Sequence, residues 1–268
     1  MPNHCTNQIR VSGPEETVDE FYKSHLRTVE VPVRGSETET EPNLVFDFND
    51  FIPMPESLKV TSGSDTSNAY DVYYSPNGGS MLSYKWIADM GIKTLEELRA
   101  WADKEHPEWQ AVADIMHGNI TAYGAANWYD WCCQNWGTKW NAYGVDCDAP
   151  PATDAQGDAH LEFCFSTAWS PPSPVLAAIA AKYPDLTFEN EWYEEGGCAG
   201  HMLISDGGDI FEESDREHPY ADMDEEDDEE SDDDEDEDDT EEEAASDAAA
   251  VGEQTDVELD PEDRDIPF

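Results

Sequence analysis

Positive charge is what this 268-residue chain has least of: 13 Lys and Arg stand against 64 Asp and Glu, a formal net charge of −51. A chain that holds nucleic acid through its phosphates normally supplies Lys and Arg for that purpose, so extensive backbone contact with DNA or RNA is disfavoured from the outset. No apolar run approaches the ~18–20 residues needed to span a membrane, and the start, Met1-Pro2-Asn3-His4-Cys5, has no basic segment leading into an apolar one. The six cysteines show no Cys-x₂-Cys pair, so neither a zinc site nor a disulfide framework is expected. Cys198-Ala199-Gly200-His201 has metal-ligand residue types without the spacing. Gly-rich phosphate loops, His-Glu-x-x-His and nucleophile elbows are also missing. The expectation is a cytoplasmic protein with reduced thiols, no cofactor, no metal and no enzymatic activity.

The charge that is present is unevenly spread. Residues 221–268 hold 27 acidic residues and one basic one, Arg264, while residues 1–220 hold 37 acidic and 12 basic. The two parts carry about equal negative charge, so the acidity of the first part is its own. From 222 onward the residues are Asp, Glu, Ser and Ala with almost nothing to bury, which predicts a disordered acidic tail. At about 5–6 Å × √n, such an arm reaches some 35–40 Å, and more with self-repulsion. An acidic surface favours basic protein partners, or imitation of a nucleic-acid backbone.

Residues 1–205 read as an α+β domain. Ile9 and Val11 alternate with polar neighbours and predict a strand over 7–12. Ser12-Gly13-Pro14-Glu15-Glu16 predicts a helix start capped by Ser12 and running to about Leu26. A strand follows over 44–48. Residues 57–84, rich in Ser, Gly, Asn and Tyr, read as an inserted loop or short hairpin. Helices are expected over 94–104, 111–116 and 125–136, the last capped by Gly137, with Trp109 packing on Trp101. A Pro/Asp/Ala/Gly loop over 148–158 leads to a strand over 160–167. After it come a helix over 175–183 and strands over 186–193 and 199–204. Residues 206–221 would be a linker and 222–268 the tail.

Two constellations carry functional weight. Trp128, Trp131, Trp136 and Trp140 fall with Lys139 in thirteen consecutive positions. Buried, they are core; exposed, they are a platform on which unstacked bases stack at roughly 1–3 kcal/mol each, with Lys139 on phosphate. The second constellation is the end, Asp265-Ile266-Pro267-Phe268. Pro267 keeps the tip extended, and Phe268 joins an aromatic ring to a carboxylate, a hook for an apolar pocket rimmed by cations.

That tip resembles the acidic tip of bacterial single-stranded-DNA-binding proteins, which implies recruitment of replication and repair enzymes. Residues 1–205 resemble the YubB-like family of phage and plasmid proteins. The resemblance is carried by Met-Pro-Asn-His-Cys-Thr-Asn at the start, Phe48-Asn-Asp-Phe-Ile-Pro-Met-Pro55, the Trp128-Tyr-Asp-Trp131 stretch and Trp136-Gly-Thr-Lys-Trp-Asn141. It implies a ferredoxin-like βαββαβ domain with an antiparallel sheet, helices on one face and a helical insertion. The leading expectation is a single-stranded-DNA-binding protein of replication, recombination or repair, in the host cytoplasm if phage-encoded. The alternative is an interaction protein that binds no DNA and uses its tip or its acidity to redirect host enzymes.

Overall fold

The first strand, β1 (His4–Pro14), lies at the centre of the sheet in the computed structural model, with partners far along the chain on both sides. The structure describes residues 3–33, 38–155, 157–205 and 209–213. β1 alternates strictly: Cys5, Asn7, Ile9 and Val11 are buried, while Gln8 and Arg10 are exposed. The helix α1 (Glu15–His25) follows, then come the hairpin β2 (Arg27–Pro32) and β3 (Thr40–Val45), a run of helices, and β4 (Tyr143–Asp146). β5 (Ala152–Thr153), β6 (Asp158–Ala168), α7 (Ser173–Lys182), β7 (Thr187–Glu194), β8 (Ala199–Ser205) and β9 (Asp209–Glu213) complete the described chain.

The strand order is β4-β6-β1-β7-β8-β9, and β5 adds to β6. β1, α1, β4, β6, α7 and β7 reproduce the βαββαβ plan, with the four strands in spatial order 2-3-1-4 and antiparallel pairings throughout. The ferredoxin-like antiparallel expectation therefore holds. Its physical root is the pair of βαβ crossovers, each laying a helix on the same side of the sheet. Val18 and Phe21 of α1 and Val175, Leu176 and Ile179 of α7 meet Ile9, Val11, Leu161, Phe163 and Phe165 in one core. The opposite face of the sheet has no helix among the described residues.

Between α1 and β4 lies the insertion, which is more helical than its composition predicts. Residues 57–84 form helix α2 (Ser64–Tyr74) and three short 3₁₀ turns, not a loop or hairpin. Ser, Thr, Asn and Tyr are indifferent helix formers, but packing overrides propensity. Ala69 and Val72 bury one face of α2 against α5 (Trp109–Tyr123), and Trp109 Nε1–H donates to Asp65 at 3.1 Å. With α3 (Lys85–Asp89) and α4 (Leu95–Glu105) these helices close a second core of Ala69, Val72, Met81, Ile87, Ile92, Leu98, Ala102 and Trp109. α4 starts where its sequence says, with Thr94 and Glu97 forming a reciprocal capping box. Trp109 packs edge-on to Trp101, centroids 5.9 Å apart, as expected. The last helix of the insertion is α6 (Trp128–Asn135).

Smaller differences have equally local causes. Ser12 still pairs within the sheet, so Pro14 occupies the N-cap of α1 and no side chain caps it. The hairpin β2–β3 pairs residues 27–32 with 40–45, and Phe48–Asp50 is a 3₁₀ turn rather than the end of a strand. β9 continues the sheet into the segment read as a linker.

Candidate interaction surfaces

Asn127 starts α6, its side chain accepting from the Asp130 amide at 3.2 Å, and Gly137 lies just past the end at φ 79°. The helix therefore aims its aromatic face at the main core. Trp131, Trp136 and Trp140 are 5, 1 and 9 % exposed. The Trp136 indole N–H donates to the Ile52 carbonyl at 2.9 Å, and its ring meets Phe48 and Trp131 edge-on. Trp128 is half-buried against the same core. These four residues do not form a base-stacking platform: three have no free ring face, because each indole removes a large apolar area from water by packing inward.

Lys139 behaves differently. It is half-buried, with Nζ 4.5 Å from the Trp140 ring centroid and 5.6 Å from that of Trp169. No ion pair joins it to a carboxylate among the described residues, in a chain where acids outnumber bases nearly five to one. Trp169 was not legible as a site residue. It is 43 % exposed and sits at φ 73°, in the left-handed region that a β-carbon disfavours. Such a residue costs on the order of 1–3 kcal/mol and persists only where its surroundings enforce it.

The enforcement is visible. The Thr138 hydroxyl donates to the Ala168 carbonyl at 2.7 Å and lies 3.0 Å from the Ala168 amide. The Trp169 amide donates to the Asn3 carbonyl at 2.9 Å, and the Ser170 hydroxyl to the Gly137 carbonyl at 2.6 Å. Tyr129 stands edge-on to Trp169, centroids 6.2 Å apart. The only sequence hint is a large aromatic residue immediately before Ser170-Pro171-Pro172, where a turn needs none.

The helix-free sheet face is the second surface. Arg10, at its centre, pairs with Glu162 at 3.0 Å and lies 3.9 Å from Glu191, and its cross-strand neighbour on β7 is Glu189. Beside it, a cavity of about 500 Å³ is lined by Gln8, Asp146, Asp148, His160 and Cys164 among others. Ferredoxin-like sheets that read RNA present aromatic residues on their central strands. Here β1 presents Thr6, Gln8 and Arg10, and this arginine, the one cation of the strand, is hemmed in by carboxylates.

A buried polar knot ties α1 to α7. Asp50 accepts from His25 Nδ1 at 2.9 Å and from Arg27 Nη2 at 3.2 Å, and the Tyr183 hydroxyl donates to His25 Nε2 at 2.9 Å. Lys182 Nζ lies 3.4 Å from the same Nε2. Burial, chiefly, holds the His25 pKa below 6.5, with Asp50 opposing and Lys182 reinforcing the shift. The unfolded chain therefore binds more protons here than the folded one, so this contribution to stability is complete above pH 6.5 and is lost as pH falls towards the folded pKa. Chemical denaturation between pH 8 and pH 5 is expected to show this slope, and His25→Gln should flatten it relative to the unmodified protein.

All six cysteines are free, and burial pushes the thiols of Cys5 and Cys132 up to about 12. Among the described residues, no group of three or more His, Cys, Asp or Glu is placed to hold a metal ion, and no helix is long and apolar enough to cross a membrane. Asp265, Ile266, Pro267 and Phe268 lie outside the described residues, as does the acidic tract before them.

Comparison with known proteins places part of this chain. Residues 139–259, fewer than half of the total, match the family model of a ferredoxin-like domain in Api92-like protein. The match opens within the Trp136–Asn141 block and covers β4 to β9, leaving out β1, α1 and the insertion. The crystal structure of a protein api92 from Yersinia pseudotuberculosis is 12 % identical, covering 81 % of this chain and 99 % of that one, with a TM-score of 0.36. No curated protein matches. The ferredoxin-like assignment rests on the strand order and the family match.

Proposed function

We propose that this protein is an interaction module of DNA metabolism that engages proteins rather than DNA. It would meet basic partner surfaces with its acidic sheet face and enter apolar, cation-rimmed pockets with Ile266, Pro267 and Phe268. The observation that carries this reading is the neutralisation of Arg10 by Glu162 and Glu191 on the helix-free face, while Trp131, Trp136 and Trp140 lie in the core. An acidic face steers basic partners and repels a polyanionic strand. The likeness of residues 1–205 to YubB-like phage and plasmid proteins, and of the tip to single-stranded-DNA-binding proteins, supports a place beside replication and repair enzymes in the cytoplasm of a host cell.

The test compares the intact chain with a Phe268 deletion for binding to a purified nuclease or helicase known to accept such a tip. Loss of binding on deletion, and competition by a peptide of residues 260–268, are expected; equal binding by both chains would sink the tip-driven part. Titration with oligo-dT at low salt separates the alternative, a single-stranded-DNA-binding protein. One observation favours that alternative, the cation Lys139 beside the exposed Trp169. Saturable binding of a strand several nucleotides long would establish it.

A further inference from the structure

We propose that Trp169, Lys139 and Tyr129 form a site for one nucleoside monophosphate, the base lying on the Trp169 indole and the phosphate meeting the Lys139 ammonium. This goes beyond the protein-binding reading and stands or falls separately, since the site adjoins the end of β6 and uses no residue of the acidic face.

Three features carry it. First, the 167–170 segment is pinned by bonds to Asn3, Gly137 and Thr138, and the outcome of that pinning is a partly exposed Trp in a conformation suited to Gly. The strain presents a ring to solvent rather than burying it, and strain held in this way marks functional positions. Second, Lys139 keeps its charge within 5.6 Å of that ring without a carboxylate partner among the described residues. A base stacked on the indole would carry its phosphate a few ångströms from the base plane, within the sweep of a lysine side chain. Third, the neighbouring indoles at 131, 136 and 140 are buried, so none of these three offers a second stacking position, and the negative charge of residues 1–220 disfavours a longer strand. A peptide carboxylate is the competing occupant. Such groups are usually captured by free backbone N–H donors, and the amides of Ala168 and Trp169 are already engaged by Thr138 and Asn3.

The experiment uses the full chain with adenosine 5′-monophosphate, and with adenosine and inorganic phosphate as partial probes. Nuclear magnetic resonance titration of the unmodified protein should move the Trp169 indole and Lys139 signals together. Calorimetry should give tighter binding for the monophosphate than for either part. Lys139→Gln should weaken it about tenfold, the loss of one charge-assisted contact. Trp169→Asn keeps a residue type that tolerates the left-handed conformation; it should weaken binding by roughly 5- to 150-fold through lost stacking. The proposal is overturned if the monophosphate moves no Trp169 signal at millimolar concentration. Equal binding of adenosine and the monophosphate, or affinity unchanged in both variants, would also overturn it. So would displacement of the nucleotide by a peptide of residues 260–268 that binds Trp169 more tightly. The titration of the unmodified chain decides the matter even if a variant does not fold.

Discussion

Replacing Trp136 by Ala is expected to lower the unfolding free energy by about 3–5 kcal/mol, the range for truncating a large core aromatic. The indole is 1 % exposed and wedged between Phe48 and Trp131. Its loss opens a cavity between α6 and the 48–54 segment and leaves the Ile52 carbonyl without its 2.9 Å donor, and an unsatisfied buried acceptor adds to the transfer cost. Trp136→Phe keeps much of the volume but not the N–H, so it should cost clearly less than Ala. Urea denaturation of the three proteins gives the order. A Trp136→Ala protein as stable as the original would place this indole outside the core and restore it to the surface reading.

Gly137→Ala is the second large effect, about 2–4 kcal/mol. The residue has φ 79°, and a β-carbon there would stand 2.8 Å from Cδ and 3.4 Å from Cγ of Pro174. The left-handed conformation and the clash each cost roughly 1–3 kcal/mol, partly relieved by one shared backbone shift. That shift displaces the Gly137 carbonyl from the Ser170 hydroxyl. The substitution should therefore also loosen the segment that holds Trp169. Thermal unfolding read by circular dichroism checks the stability, and the near-ultraviolet Trp signal checks the local geometry. Gly91→Ala, with open space around its β-carbon at φ 81°, isolates the conformational part and should cost less.

Local pattern made much of the fold legible. β1, β6, β7 and β8 alternate with period two because one face is buried and the other is not, and α4 announces itself by Leu95, Leu98 and Trp101 on one face. α2 was hidden because its residues are poor helix formers, held by contacts 40 residues away such as Asp65 with Trp109. The hairpin β2–β3 was hidden for the opposite reason: most of it is exposed, so no buried alternation marks it. The tryptophan cluster shows the limit most plainly. Sequence places Trp128 and Trp131 on one face of a helix, but whether that face meets core or solvent depends on Phe48 and Ile52, eighty residues earlier. Trp169 was beyond reach, since its backbone conformation is imposed jointly by Asn3, Gly137 and Thr138.

The central position of β1 has a consequence for synthesis. Its two partners, β6 and β7, end at Ala168 and Glu194. During synthesis β1 must wait for some 150–180 further residues before its two edges are paired. At about 5–20 residues per second that is roughly 8–36 s with Ile9 and Val11 unshielded. The insertion, whose core joins residues between Ala69 and Trp109, needs no such wait and can close while the sheet is still incomplete. β1 is thus made before the insertion but secured after it, and the newborn chain passes through a stage at which the helical insertion is folded and an apolar strand is open to chaperones.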